Sequence, residues 1–147
     1  MKDSVFSFGD NLVGVLTRPQ GGDVSRPLIL IPNTGIEHRV GPKRLHVRLA
    51  RVLAEAGYAV ARVDLAGLGD SPALDGGDSV DELRAAIDEL QARGGARRFI
   101  AVGLCSGAHA AHRLALAEPR VVGAAFLDGY AYMTPRFMAT YVWQRAA

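Results

Sequence analysis

Four short apolar runs, each followed or preceded by a single helix-like segment, constrain this chain more than any other feature. The first, Pro27-Leu28-Ile29-Leu30-Ile31-Pro32, is continuous rather than alternating, the pattern of a strand covered on both faces. Tyr58-Ala59-Val60-Ala61-Arg62-Val63-Asp64-Leu65 is a second strand with β-branched residues, and Phe99 to Val102 and Val121 to Leu127 are a third and a fourth. Between them, Pro42 suits the first turn of a helix carrying Leu45, Leu49, Val52, Leu53 and Ala56 at helical spacing up to Gly57. Ser79 and Glu82 read as a capping box for a stripe of Val80, Leu83, Ile87 and Leu90 that stops at Gly94-Gly95. Ala108 to Ala117 is the third helix, ended by Pro119. Strands joined by single helices require right-handed crossovers, so the chain is expected to form a mostly parallel sheet between two helical layers, a three-layer α/β/α fold. Phe6 to Phe8 and Leu12 to Leu16, around Gly9-Asp10-Asn11, add a leading hairpin.

The 147 residues suffice for one core, and 49% hydrophobic with 22% charged residues is an ordinary globular balance. A single domain over residues 1–147 is expected. A formal charge of only +2 with scattered basic residues argues against a nucleic-acid partner. No apolar run approaches the roughly 20 residues of a membrane span, and the start lacks a signal-peptide core, so a cytoplasmic location is the expectation. No cofactor motif stands out. Gly67-Leu68-Gly69 lacks the third glycine of a dinucleotide fingerprint and reads as a tight loop bordering a pocket.

The one cysteine lies in Gly103-Leu104-Cys105-Ser106-Gly107, between the third strand and the third helix. Glycines two residues before and after a nucleophile relieve crowding at a sharp strand-to-helix turn. The turn also aims free N–H groups and the positive end of the helix dipole at that side chain, an arrangement suited to an anionic nucleophile. Cys105 is therefore the candidate nucleophile, with a buried inert thiol as the alternative. The N–H of Ser106 is one candidate oxyanion donor. The second is expected from Asn33-Thr34-Gly35, at Thr34. Ser106 is also a rival nucleophile, one residue off the glycine spacing.

Pro32-Asn33-Thr34-Gly35, His38-Arg39-Val40-Gly41-Pro42, Asp64 to Pro72 and Gly103 to Ala108 together resemble the N-terminal portion of the α/β-hydrolase superfamily. The wording of these loops is most similar to the bacterial hydrolases associated with exosortase systems. The resemblance implies cleavage of an ester, thioester or lactone, or acyl transfer, by a cysteine in the usual serine position. It also implies an acid and a histidine later in the chain.

No histidine follows His112. His109 and His112 fall within the helix leaving the elbow and read as helix-face residues. Cys105, His109 and His112 can be drawn as a metal triad, but no further ligand supports one, and no metal is expected. Asp128, closing the last strand, is the candidate acid, with a strand-end turn as the alternative; His38 reads as a loop or substrate-contact residue. Tyr130 to Trp143 is strongly apolar, so residues 130–147 are expected to begin a lid or cap, or to support a homo-oligomer. Arg136 and Arg145 read as solvated.

The leading expectation is a hydrolase or acyltransferase acting on a small acyl substrate, with the fold truncated after the strand that follows the elbow helix and its histidine outside these residues. The alternatives are a non-catalytic, self-associating hydrolase-like module and a thiol redox role for Cys105.

Overall fold

A computed structural model describes residues 1–21, 25–129 and 134–146, apart from the side chains of 137, 140, 141 and 144–146. Six strands are joined in one sheet: β1 (Lys2–Phe8), β2 (Leu12–Arg18), β3 (Leu28–Pro32), β4 (Val60–Val63), β5 (Phe99–Leu104) and β6 (Val121–Leu127). Their spatial order is β1-β2-β4-β3-β5-β6. The hairpin pairs Phe8 with Leu12 across a three-residue loop in which Gly9 and Asn11 take positive φ, and β2 runs antiparallel to β4. β4, β3, β5 and β6 are mutually parallel. The expected three-layer, mostly parallel architecture is present.

The continuous apolar runs have a direct cause. Leu28 and Leu30 of β3 enter a large core with Phe6, Leu12, Leu83, Ile87, Phe99 and Leu114, against α2 (Ser79–Gly94) and α3 (Ser106–Ala117). Ile29 and Ile31 enter a smaller one on the other face with Val60 and Ala50 of α1 (Leu45–Glu55). Each fully buried Leu, Ile or Phe contributes about 1.5–3 kcal/mol.

Two helix readings are corrected in detail. The N-cap of α2 is Asp78, whose side chain accepts from the Val80 N–H at 2.7 Å; Ser79 is the first helical residue, and Glu82 Oε2 instead accepts from Ala66 N. Asp78 has the better oxygen for capping because its side chain reaches the second helical N–H. In α1 the buried face is His46, Val47, Ala50 and Ala54, while Leu45 and Val52 are exposed. Two alanines let that helix lie close on β4, and Leu49 and Leu53 flank the contact. A 3₁₀ turn over Pro42–Arg44 precedes α1, with Lys43 and Arg44 both at positive φ, which rotates the helix away from the face that a simple start at Pro42 implies.

α4 (Pro135–Ala146) carries exposed Met138, Val142 and Trp143. Residues 130–133, the first part of the apolar tail, lie outside the described residues. Among the described residues β6 pairs with β5 alone, and Val122, Phe126 and Leu127 are about half exposed. No helix among the described residues is long and apolar enough to cross a membrane.

His46 is 2% exposed, and neither ring nitrogen makes a hydrogen bond of ordinary geometry among the described residues. Burial pushes its pKa down; the backbone of Arg39 opposes that effect, and the charge of Arg62 adds to it. The neutral ring is the folded form, so acidification below about pH 6.5 protonates the unfolded chain first and removes stability. Thermal melts from about pH 7.5 to about pH 5.5 are expected to show a falling Tm in the parent chain and a shallower fall in His46→Leu. An identical slope in both assigns the titration elsewhere.

Candidate active site

The site is built where β5 turns into α3. Cys105 occupies that turn at φ 54° and ψ −119°, a conformation that L side chains rarely adopt, and is half-buried. Its N–H donates to Leu127 O at 2.9 Å, and its carbonyl accepts from Ala108 N at 3.0 Å. The flanking glycines are required by close backbone approach. A Cβ on Gly103 would stand 2.1 Å from Gly107 O, and one on Gly107 would stand 2.7 Å from Asn33 O. These obstacles are backbone, which has no rotamer with which to yield.

The loop after β3 is tied to the elbow twice. Thr34 Oγ1 donates to Leu104 O, and Gly35 N donates to Ser106 Oγ at 2.5 Å. The Ser106 hydroxyl therefore fastens the start of α3 to this loop, and the Gly35 N–H is committed to it. Asn33 extends the tie: its Oδ1 accepts from Leu65 N at 3.2 Å and its Nδ2 donates to Glu37 O at 3.3 Å. A pocket of about 250 Å³ adjoins the elbow, lined among others by Gly35, Leu68, Ser106 and His109. Leu68 brings the Gly67-Leu68-Gly69 loop to that pocket, as its glycine pair implies.

His109 is exposed on α3 and lines the pocket beside the elbow, and His112 packs edge-to-face on Phe126 at 5.5 Å. His38 accepts at Nδ1 from Val40 N (3.1 Å) and meets Asp70 Oδ2 through Nε2 at 3.3 Å, so it ties the loop after β3 to the loop after β4. Asp128, exposed and at φ 50°, directly follows the Leu127 carbonyl that accepts from Cys105 N.

A network that the sequence reading missed locks the two loops together. Asp64, fully buried at the end of β4, accepts from Arg39 N at 2.5 Å, from the Arg39 guanidinium, and from Asp70 N at 3.1 Å. Arg39 Nη2 reaches Asp70 at 2.7 Å, and hydrogen bonding to Arg39, then to His38, holds the Asp70 carboxyl below the usual carboxylate range. Ser71 Oγ donates to Asp64 O and accepts from Val13 N. Gly69 has φ 54°, and a Cβ there would overlap the Asp64 carboxylate at 2.2 Å. The only prior signal was an aspartate ending an apolar strand with an arginine in the facing loop. His38, Asp64 and Asp70 have ligand atoms within 4.8 Å of one another, a spacing that can hold a cation, but Arg39 already contacts both carboxylates.

The sequence model of the alpha/beta hydrolase family matches residues 38–147. The chain belongs to the α/β-hydrolase family. No curated protein matches it in sequence. Among solved structures, this chain is similar to a cold-adapted esterase from an Arctic intertidal metagenomic library (21% identity, TM-score 0.68, covering 84% of this chain and 58% of that one). It is similar to an esterase of Pyrococcus furiosus (21%, 0.68, 97% and 59%) and to the thioesterase domain of the curacin biosynthetic pathway (21%, 0.65, 98% and 51%). At these identities the likeness is one of fold. The chain spans between half and three-fifths of the length of these proteins.

Two outcomes test the geometry. Gly103→Ala is expected to cost about 3 kcal/mol or more, because its methyl meets backbone. Arg39→Met leaves Asp64 buried without its cation and is expected to cost about 3–5 kcal/mol in urea unfolding. A loss below about 1 kcal/mol in Arg39→Met contradicts the locking role of the pair.

Proposed function

We propose that this chain carries the nucleophile side of an acyl-cleaving or acyl-transferring site, with Cys105 attacking the carbonyl of an ester, thioester or lactone. The observation that carries the reading is the left-handed Cys105 between two glycines whose Cβ positions are filled by backbone. Strain of this kind is retained where the surrounding structure over-determines it, and it clusters at reactive positions. The backbone N–H groups of Ser106 and Thr34 are the oxyanion donors in this reading. Commitment of Gly35 N–H to Ser106 Oγ favours Thr34 as the second donor, and the same bond favours Cys105 over Ser106 as the nucleophile.

In the reaction, the Cys105 sulfur bonds to the carbonyl carbon, negative charge collects on the carbonyl oxygen, and collapse expels the alkoxide or thiolate. Water or an acceptor alcohol, amine or thiol then takes the acyl group. The base for that second step is assigned to a histidine outside residues 1–147, and Asp128 is the candidate acid. In this reading the chain is one of the exosortase-associated bacterial hydrolases, which its loop wording resembles, it acts in the cytoplasm, and the tail with α4 begins a lid.

A second reading rests on the half-exposed Val122, Phe126 and Leu127 of β6: a non-catalytic module that covers this edge by self-association. Turnover separates the two. Short-chain p-nitrophenyl esters and acyl thioesters should be cleaved in a chain extended to its natural stop codon, with loss of at least about 100-fold in Cys105→Ala. Activity that survives Cys105→Ala removes the assignment, and a concentration-dependent dimer without turnover supports the second reading.

A further inference from the structure

A second pocket, of about 310 Å³, opens on the face of the sheet covered by α1 and shares no lining residue with the pocket at the elbow. Its floor is Arg62, on a strand whose side chains alternate: Val60 and Arg62 lie on the α1 face of β4, and Ala61 and Val63 enter the larger core. Val47 and Arg51 line it from α1 at a spacing of four residues, on one face of that helix, and Arg44 lines it from the turn just before the helix. Asp3, on β1, also lines it, and its Oδ1 accepts from Thr17 Oγ1 at 2.7 Å.

Arg62 is 5% exposed, its Nε has no hydrogen-bond partner, and it makes no ion pair within 4.0 Å among the described residues. Burial lowers its affinity for the proton; Asp3 opposes that effect, and Arg39, Arg51 and Arg44 add to it. A guanidinium does not escape by deprotonating, so its charge stays in the pocket wall. An uncompensated buried charge costs several kcal/mol unless a counter-ion and hydrogen bonds satisfy it. Arg39 is engaged by Asp64 and Asp70. Arg44, Arg51 and Arg62 against Asp3 leave an excess of two positive charges around the cavity.

We propose that this pocket binds a phosphate group, with Arg62 as the buried anchor, Arg51 closing on it from α1 and Arg44 from the turn before that helix. An excess of two positive charges matches a phosphate dianion, and three guanidinium forks supply more donors than a carboxylate has oxygens to accept. The group is either the free ion or a phosphomonoester, and both have the same contacts at the anchor.

The test is a titration of the whole chain with inorganic phosphate, and separately with glycerol 3-phosphate, against chloride at matched ionic strength, followed by Tm and by calorimetry. A saturable rise in Tm with one phosphate per chain is expected. Arg51→Gln, at the exposed rim, is expected to weaken binding about tenfold. Arg62→Met is expected to abolish the response and to melt above the parent chain in phosphate-free buffer, because an unpaired buried charge has been replaced by an apolar side chain. Tighter binding of glycerol 3-phosphate assigns the pocket to a phosphomonoester, and a response to inorganic phosphate alone assigns it to the free ion. The proposal is overturned by a response no greater than that to chloride. It is equally overturned by a phosphate response that Arg51→Gln leaves unchanged, a result readable even where Arg62→Met does not fold.

Discussion

Backbone meets backbone at Gly103 and Gly107 with no room for a Cβ, and this contact sets where the rest of the candidate site can be. It brings the start of α3 against the end of β5 and against the Asn33 carbonyl, and Cys105 takes up the resulting turn with a positive φ. The sharpness of the turn leaves the thiol at the carboxyl end of a parallel strand and at the first turn of a helix, where N–H groups have no intrahelical acceptor. Once those surfaces touch, Thr34 and Ser106 are positioned by the same hydrogen bonds that hold the loop to the elbow.

The loops around that contact are fixed by charge rather than by apolar packing. Arg39 and Asp64 form a pair with the carboxylate fully buried, and the carboxylate also receives two backbone N–H bonds, so its remaining lone pairs are satisfied. Such a pair adds less to stability than an apolar substitute can, yet it holds two loops in one arrangement. That suits a surface whose backbone donors must be in place before a substrate arrives. Arg62, one strand position before Val63 and two before Asp64, is the contrasting case: a buried guanidinium with no such partner.

Much of the architecture was legible because the periodicity was strong. β3 reads as apolar at every position since both its faces are buried, and Gly95 ends α2 with a left-handed cap, as its position after the apolar stripe implies. The face of α1 was misread because Leu45 and Val52 are exposed while His46 is buried, in a helix that begins at Leu45 after the left-handed Lys43 and Arg44. The elbow glycines were legible because their spacing reports a local constraint. The Arg39–Asp64–Asp70 network was not, because it joins residues up to 31 positions apart through loop geometry that no periodicity encodes.

The account turns on whether the Cys105 sulfur is a nucleophile presented by the elbow. Intact-mass and peptide mass spectrometry of this chain after brief exposure to p-nitrophenyl acetate tests it most directly. The account predicts one acetyl group per chain, on Cys105, together with stoichiometric release of p-nitrophenolate. An unmodified Cys105, or acetyl spread over lysines and Ser106 instead, contradicts it.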